Sequence, residues 1–413
     1  MPPIPSCEIA IIGAGVIGMT IADRLSAEGR DVVLIDPEAP GMGCSYGNAG
    51  TIADYAVEPV GTPEVLKSLP SLLFNRNSPL AIRPQSLTAL APWLMRFARQ
   101  SLPKAAAQNA HALASLLQDA GPMWRDLAQS IGAEAILQER GCLYLYQTPQ
   151  AYQAAESAMA RRRALGVEVD ILNTVELAAI EPALPPLPGA ALFPHAVFMD
   201  DPGEMMTQLA AHLQRRAAFC EARIDRITRQ VNSILLEGPG FKLYSRKVIL
   251  AAGAHSRALA AMAGDKIPLE TERGYHVEWD MPAPLLNRPA CPTARGFYLC
   301  PMHGRLRVAG TVELGGLTAP PSPHRIAKLI EGALEIFPDL PPEPDRAWMG
   351  FRPSLPDSLP VIGASRQGPE VIHAYGHGHL GMTLAPLTAR IVCDLVAGRA
   401  PHIDLAPVSP TRF

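Results

Sequence analysis

The chain has few charges for its length and no excess of either sign. Of its 413 residues 18% are charged, with 36 Lys+Arg against 39 Asp+Glu, so nothing calls for a nucleic-acid partner. Its seven cysteines, Cys7, Cys44, Cys142, Cys220, Cys291, Cys300 and Cys393, are odd in number and far apart, with no CxxC pair. They read as reduced thiols of a cytoplasmic protein rather than a disulfide framework. No run of 18 apolar residues is present, so no membrane span is expected. The opening MPPIPSCEIAIIGAG lacks the charged segment of a signal peptide, and neither an internal repeat nor a low-complexity tract follows. What is present is 48% hydrophobic residues, enough for a large core divided between two interleaved domains.

The first interpretable segment is local. Glu8 to Ile12 is a short β-branched run, GAGVIG follows from Gly13 to Gly18, and Ile17, Ile21 and Leu25 recur at helical spacing until Gly29 offers a cap. A second strand, Asp31 to Ile35, ends in Asp36, about 20 residues beyond the glycines, where the dinucleotide-binding pattern places its acid. In that pattern Gly13 permits the turn, Gly15 admits a pyrophosphate to the backbone, and Gly18 lets the helix approach the strand. Asp36 would accept hydrogen bonds from the ribose hydroxyls of an adenosine. A bare glycine-rich turn is the alternative for the motif taken alone.

Further on, Ala105 to Ile131 has a helical pattern with a break expected at Gly121-Pro122. Tyr152 to Leu165 reads as another helix, and a third starts at Asp201-Pro202 and runs to about Ala217. Strands are expected up to Lys247–Ala251, over Thr271 to Trp279 and over Gly296 to Val312. A helix follows from His324 to Phe337. The last helix carries Thr388, Ile391, Val392 and Leu395 on one face, with Pro386 in its first turn and Gly398 as its cap. The layout suggests a discontinuous cofactor domain (1–85, 201–270, 346–413) and a substrate domain (86–200, 271–345).

Four stretches together resemble the FAD-dependent D-amino-acid dehydrogenase and glycine/sarcosine oxidase family, the DAO family. They are IAIIGAGVIGM, CSYGNAGTIA from Cys44 to Ala53, VILAAGAHS from Val248 to Ser256, and GFRPSLPDSLPVIG with YGHGHLGMTLAP at the end. The resemblance implies an α/β (α+β) fold: a Rossmann-like FAD-binding domain with a second domain on a large mixed or antiparallel sheet. It also implies an extended FAD. The adenosine would lie at Gly13, Gly15, Val16, Ile17, Gly18, Asp36 and Pro37, with Ile224, Ala252 and Gly253 near adenine and ribose. The flavin ring would lie between Ser45, Asn48, Gly50 and Thr51 and the run Gly376, His377, Gly378, His379, Leu380, Gly381, Met382 and Thr383. If the last helix starts at that ring, its free N–H groups would stabilise charge on the reduced flavin. His377 and His379 read as structural or flavin-edge groups, since two histidines without neighbouring acids make a poor metal site. Cys44 is a free thiol or a covalent flavin attachment point.

Arg352 is the one cation in GFRPSLPDSLPVIG, and a guanidinium among apolar residues needs a partner. The resemblance makes that partner a substrate carboxylate; an internal acid such as Asp357 is the alternative. Tyr275 and His276 resemble the active-site strand of the family, with the Tyr275 hydroxyl as a second carboxylate donor or as simple packing. The implied reaction is hydride transfer from Cα to the flavin, with no protein base, giving an imino acid. The loop GMGCSYGNAG and the stretch from Pro79 to Arg99 look most like D-amino-acid dehydrogenases, which puts cis-4-hydroxy-D-proline and D-proline first. Broader D-amino acids, then sarcosine or glycine, follow. Pro79 to Arg99 is either a core-packed helix or a surface helix against lipid, which would place the enzyme peripherally on the inner face of the cell membrane. The electron acceptor is accordingly oxygen or a quinone. A flavin-bearing electron-transfer subunit and an NAD-dependent dehydrogenase are the readings from other classes.

Overall fold

The computed structural model describes residues 4–74, 80–83 and 86–413. One sheet holds β1 (Ser6–Ile12), β2 (Val32–Asp36), β10 (Ala218–Glu221), β11 (Arg226–Arg229), β12 (Ile234–Gly238), β13 (Phe241–Leu250), β19 (Val361–Ser365) and β20 (Gly368–Tyr375). Its order is β10-β2-β1-β13-β12-β11, with β20 also on β13 and β19 on β20. The long β13 serves two partners. Its first half runs antiparallel to β12, and Val248–Leu250 run parallel to β20. Parallel pairing of β1 with β2 and β13 brings the strand ends at Ile12, Asp36 and Leu250 to one edge, where an open parallel sheet binds its ligand.

The second sheet contains β4 (Leu80–Ile82), β6 (Cys142–Tyr146), β7 (Asp170–Asn173), β8 (Gly189–Phe193), β14 (Glu270–Asp280), β15 (Ala290–Pro292), β16 (Phe297–Met302), β17 (Arg305–Leu314) and β18 (Arg346–Ser354). The order is β18-β14-β17-β16-β15-β6-β8-β7, with β4 beside β17. A small ribbon of β3 (Thr51–Ile52), β9 (Val197–Met199) and β5 (Leu137–Gln138), in that order, forms a third sheet. β18 belongs to the second sheet, although the expected layout groups 346–354 with the cofactor domain. Similarly, β4 joins that sheet although it lies within the expected first cofactor segment.

The helices are α1 (Val16–Ala27), α2 (Pro63–Phe74), α3 (Leu87–Gln100), α4 (Pro103–Leu117), α5 (Ala120–Ile131), α6 (Pro149–Arg163), α7 (Thr174–Ile180), α8 (Pro202–Leu213), α9 (Ser256–Met262), α10 (Pro323–Ile336) and α11 (Gly381–Ala397). The break expected at Gly121-Pro122 within 105–131 falls slightly earlier, at Gln118-Asp119, between α4 and α5. Pro122 sits in the first turn of α5, where its missing N–H costs nothing. In α3, Leu90, Trp93 and Phe97 pack inward on Leu314, while Leu87 and Met95 stay exposed with Arg96 and Arg99. The core-packed alternative therefore accounts for its inner face. Pro79, Pro84 and Gln85 of the Pro79 to Arg99 stretch lie outside the described residues.

The last helix also starts earlier than expected, at Gly381, so Pro386 lies inside it. By length and apolarity Gly378–Ala397 could cross a bilayer, yet 72% of it is buried in this fold. It packs on α1, where Thr20 Oγ1, which has the Val16 carbonyl at 2.8 Å, also lies 3.3 Å from the Ala385 carbonyl. A proline inside a helix leaves the carbonyl four residues earlier, here that of Met382, without its donor. The indole N–H of fully buried Trp124 fills that role at 2.8 Å.

Trp124→Phe should therefore destabilise the protein by about 1–3 kcal/mol, the cost of an unsatisfied buried acceptor. In a Pro386→Ala background, which returns a backbone donor to Met382, the same change should cost less. Equal losses of melting temperature in the two backgrounds would show that Trp124 acts by packing alone.

Candidate active site

Gly13 ends β1 with φ +110, and a Cβ there would run into the Ala251 carbonyl. A Cβ on Gly18 would strike the Gly13 carbonyl, so both glycines are fixed by close packing. Gly15 differs, because its Cβ would meet only Ser45 Oγ, at 3.4 Å. That leaves the N-terminus of α1 open on the side a pyrophosphate needs. Ser45 accepts from the Val16 N–H at 2.9 Å and keeps its own proton to donate, while helix geometry leaves the N–H groups of Ile17 and Gly18 without intrahelical acceptors. Asp36 accepts from Ala14 N at 2.7 Å and Glu38 N at 3.0 Å, and each oxygen retains a lone pair for a ribose hydroxyl. The Ala222 N–H on the Asp36 carbonyl brings Ile224, buried, and exposed Pro37 to the same edge as Ala252 and Gly253.

The segment from Cys44 to Thr51 is fastened to the second sheet at several points. Arg307, buried, donates to the carbonyls of Tyr46 and Asn48 and is itself held by Glu278 at 2.7 Å. Against the burial that would raise it, Arg307 and Arg346 hold the Glu278 carboxyl down at about 2. His276 Nδ1 donates to the Gly47 carbonyl at 3.1 Å, and Cys44 Sγ exchanges hydrogen bonds with Phe351 N and O. Trp348 stacks on His276 with centroids 5.0 Å apart and occupies the space over Gly47 and Gly350 that side chains there would fill. Asn48 Oδ1 caps Gly50 N at 2.8 Å, and Gly50 lies against the Met199 carbonyl.

On the other flank Gly376 and Gly378 take left-handed φ values of 85 and 56, turning the chain into α11. Buried His377 meets Thr388 Oγ1 at 2.9 Å, a structural contact. A 3-10 turn, Gly378–Leu380, leads directly into the helix, whose first turn carries the N–H groups of Gly381, Met382 and Thr383. Thr383 Oγ1 accepts from Ala53 N at 3.0 Å, joining the two flanks directly.

Alternation along paired strands fixes what faces this space. Glu272, Gly274, His276 and Glu278 of β14 are opposite Arg352, Gly350, Trp348 and Arg346 of β18, all on one face. Arg352 lies across Gly274, whose Cβ would come within 2.5 Å of the guanidinium carbon. Its NH1 donates to the Thr311 carbonyl at 2.9 Å. Among the described residues no carboxylate stands within ion-pair distance of it; Asp357 is taken by Arg412 at 2.8 Å. Glu272 is the nearest acid in register, and burial pushes its carboxyl up, toward the neutral form.

Tyr275 corrects one expectation. It projects from the opposite face of β14, where its hydroxyl bonds Glu313 and accepts from Ser322 N at 3.1 Å, inside the cluster that also contains Leu329 and Ala333. It cannot share a carboxylate with Arg352. Sequence reading also missed Arg307, Trp348, Gly274 and Thr311. Arg307 and Glu278 gave little signal, because β14 (ETERGYHVEWD) and β17 (RLRVAGTVEL) carry several other charges.

Burial and the Arg307 cation depress His276 to about 4; burial and Arg352 do the same to His379, and burial alone takes His377 to about 3. The unfolded chain thus binds protons first as pH falls below the ordinary histidine value. Stability should fall between pH 6.5 and 4, by roughly 1–3 kcal/mol for a buried histidine. His276→Asn, which can still donate to Gly47, should flatten the melting temperature over this window; an unchanged slope would remove His276 as a source. Gly274→Ala should leave the fold and flavin content intact but displace the Arg352 guanidinium and slow flavin reduction by substrate, and normal reduction would show the arginine is not used there.

Comparison with known proteins agrees with this architecture. The family described as FAD dependent oxidoreductase (DAO) matches residues 8–395. A D-amino-acid oxidase of Bradyrhizobium diazoefficiens is 34% identical, over 98% of this chain and 99% of its own. A D-amino acid dehydrogenase of Cereibacter sphaeroides is 27% identical over 98% and 95%. Glycine oxidase from Geobacillus kaustophilus superposes with a TM-score of 0.78 at 24% identity, covering 99% of each chain, and shares the fold. The phosphate-side opening at Gly15 and the two glycine-lined flanks fit FAD, and the chain belongs to the DAO family of FAD-dependent oxidoreductases.

Proposed function

We propose that the protein oxidises the Cα–N bond of a D-amino or D-imino acid. The observation that carries this reading is Arg352: a largely enclosed guanidinium near Cys44 and His379 of the two flanks, which bonds the Thr311 carbonyl and has no carboxylate within ion-pair distance among the described residues, buried Glu272 acting on it only from farther off. A planar fork receives both oxygens of a carboxylate, which a lysine does not. D-configuration is supported by the names of the relatives that match along the full length.

FAD, when bound, accepts the hydride that leaves Cα. The protein's own part is positioning. Arg352 would hold the carboxylate, Gly274 gives it room, and the sheet face behind limits water. Ser45, Ile17 and Gly18 would hold the pyrophosphate and Asp36 the ribose. The N–H groups of Gly381, Met382 and Thr383 would favour negative charge at the ring. Because His276 and His379 are neutral at physiological pH, neither adds a competing cation. Once the substrate ammonium has released its proton to solvent, the lone pair of the neutral nitrogen forms the C=N bond as hydride leaves, so no protein base is required.

For the substrate's remainder we favour a small ring, cis-4-hydroxy-D-proline or D-proline, over acyclic D-amino acids, sarcosine and glycine. On the same sheet face as Arg352 stand Tyr144 and Tyr298, whose hydroxyls lie 3.4 Å apart, and Tyr298 reaches buried Tyr55 at 3.4 Å. Phenol edges with hydroxyl tips suit a compact apolar ring bearing one polar group. Electrons then pass to oxygen or a quinone, which an oxygen electrode with and without a soluble quinone distinguishes.

Arg352→Ala should retain FAD and its melting temperature while kcat/KM falls about ten- to a hundredfold, the loss of a charged hydrogen-bonded pair. Arg352→Lys should recover part of this. A destabilised variant whose folded fraction reduces at the normal rate would mean the arginine is structural. In an anaerobic panel the cyclic D-imino acids should bleach the flavin fastest, and a faster glycine or sarcosine would displace them.

A further inference from the structure

With Tyr275 on the wrong face, the carboxylate site needs its second donor elsewhere. Strand β17 is irregular where it passes Arg352. Its register against β14 jumps from Tyr275–Gly310 to Arg273–Glu313, so that Thr311 and Val312 together oppose Gly274. This is a β-bulge, a device that re-aims a residue beside a site. Thr311 takes φ 58, and left-handed backbone is a genuine outlier for a β-branched residue.

A glycine would hold this turn without strain, and β17 already has Gly310 next door. What threonine adds is its side chain. The residue is 5% exposed, its N–H donates to the Gly296 carbonyl at 3.1 Å, and its carbonyl receives Arg352 NH1. Its hydroxyl is buried with no hydrogen-bond partner among the described residues. A buried hydroxyl is costly when unpaired. This one belongs to the residue that touches the carboxylate-binding guanidinium.

We propose that Thr311 is a substrate-binding residue: its carbonyl orients Arg352, and its hydroxyl donates the second hydrogen bond to the substrate carboxylate. The inference rests on the carboxylate reading of Arg352. Engaging NH1 with the Thr311 carbonyl leaves the Nε–NH2 edge of the guanidinium for the incoming acid. The bulge places the hydroxyl-bearing residue directly against NH1 of that guanidinium.

The test compares Thr311→Gly, Thr311→Ser and Arg352→Ala, using D-proline as reductant and benzoate and benzamide as unreactive probes read by flavin absorbance. Thr311→Gly accepts the left-handed backbone and keeps the carbonyl. It should weaken D-proline and benzoate binding about tenfold, leave benzamide unaffected, and hold or raise the melting temperature. Thr311→Ser should bind within about twofold of the parent, since the hydroxyl is restored. Parent-like benzoate binding by Thr311→Gly, with Arg352→Ala impaired, would overturn the role of Thr311 alone. Unimpaired benzoate binding by Arg352→Ala would instead overturn the carboxylate reading beneath it.

Discussion

A guanidinium withdrawn from water must be answered by something, and this site is arranged around one that the protein answers only in part. Other enclosed arginines meet acids: Arg307 has Glu278, Arg273 has Glu313, and Arg288 has Glu181. Arg352 has the Thr311 carbonyl, a bare backbone at Gly274 beneath it, and a neighbouring Glu272 that burial drives toward neutrality. Burial lowers the pKa of Arg352 as well, although it remains a cation at any physiological pH. A carboxylate brought by a ligand resolves that imbalance, and desolvation makes the resulting pair stronger than it would be at the surface.

The clamp is useful only if it stays in register with the flavin, and the fold secures this by stitching rather than by a continuous sheet. The segment Cys44–Gly50 leaves the nucleotide side and is pinned to β14, β17 and β18 through His276, Arg307, Trp348 and Cys44. Its continuation is tied to the start of α11 through Ala53 and Thr383. One loop thus measures the distance between the cofactor cradle and the arginine. The Glu278–Arg307 pair anchors it, and breaking such a buried pair on one side leaves an uncompensated charge.

How much of this the sequence disclosed depended on whether a feature was local. Gly13, Gly15, Gly18 and Asp36 act within one strand-turn-helix unit, so their spacing conveys their geometry. Arg352 stood out because a cation in an apolar run poses a question by itself. Tyr275 and His276 were read together because they are adjacent, whereas strand alternation sends adjacent side chains to opposite faces, and which face mattered depended on pairing with β18. The bulge at Thr311 and the clearance at Gly274 exist only in the register between strands. Pro122 and Pro386 misplaced two helix boundaries, one because a first turn tolerates proline and the other because Trp124 supplies the missing donor.

If Arg352 receives the negative charge of a substrate, then a substrate without that charge should lose the benefit of the arginine and nothing else. Anaerobic flavin reduction by D-proline is therefore measured beside D-prolinamide, which has the same ring, configuration and Cα–H but no carboxylate. Reduction by the amide should be slower by about ten- to a hundredfold at equal concentration, and the difference should largely disappear in Arg352→Ala. Equal reduction of the parent enzyme by acid and amide would contradict a carboxylate site at Arg352.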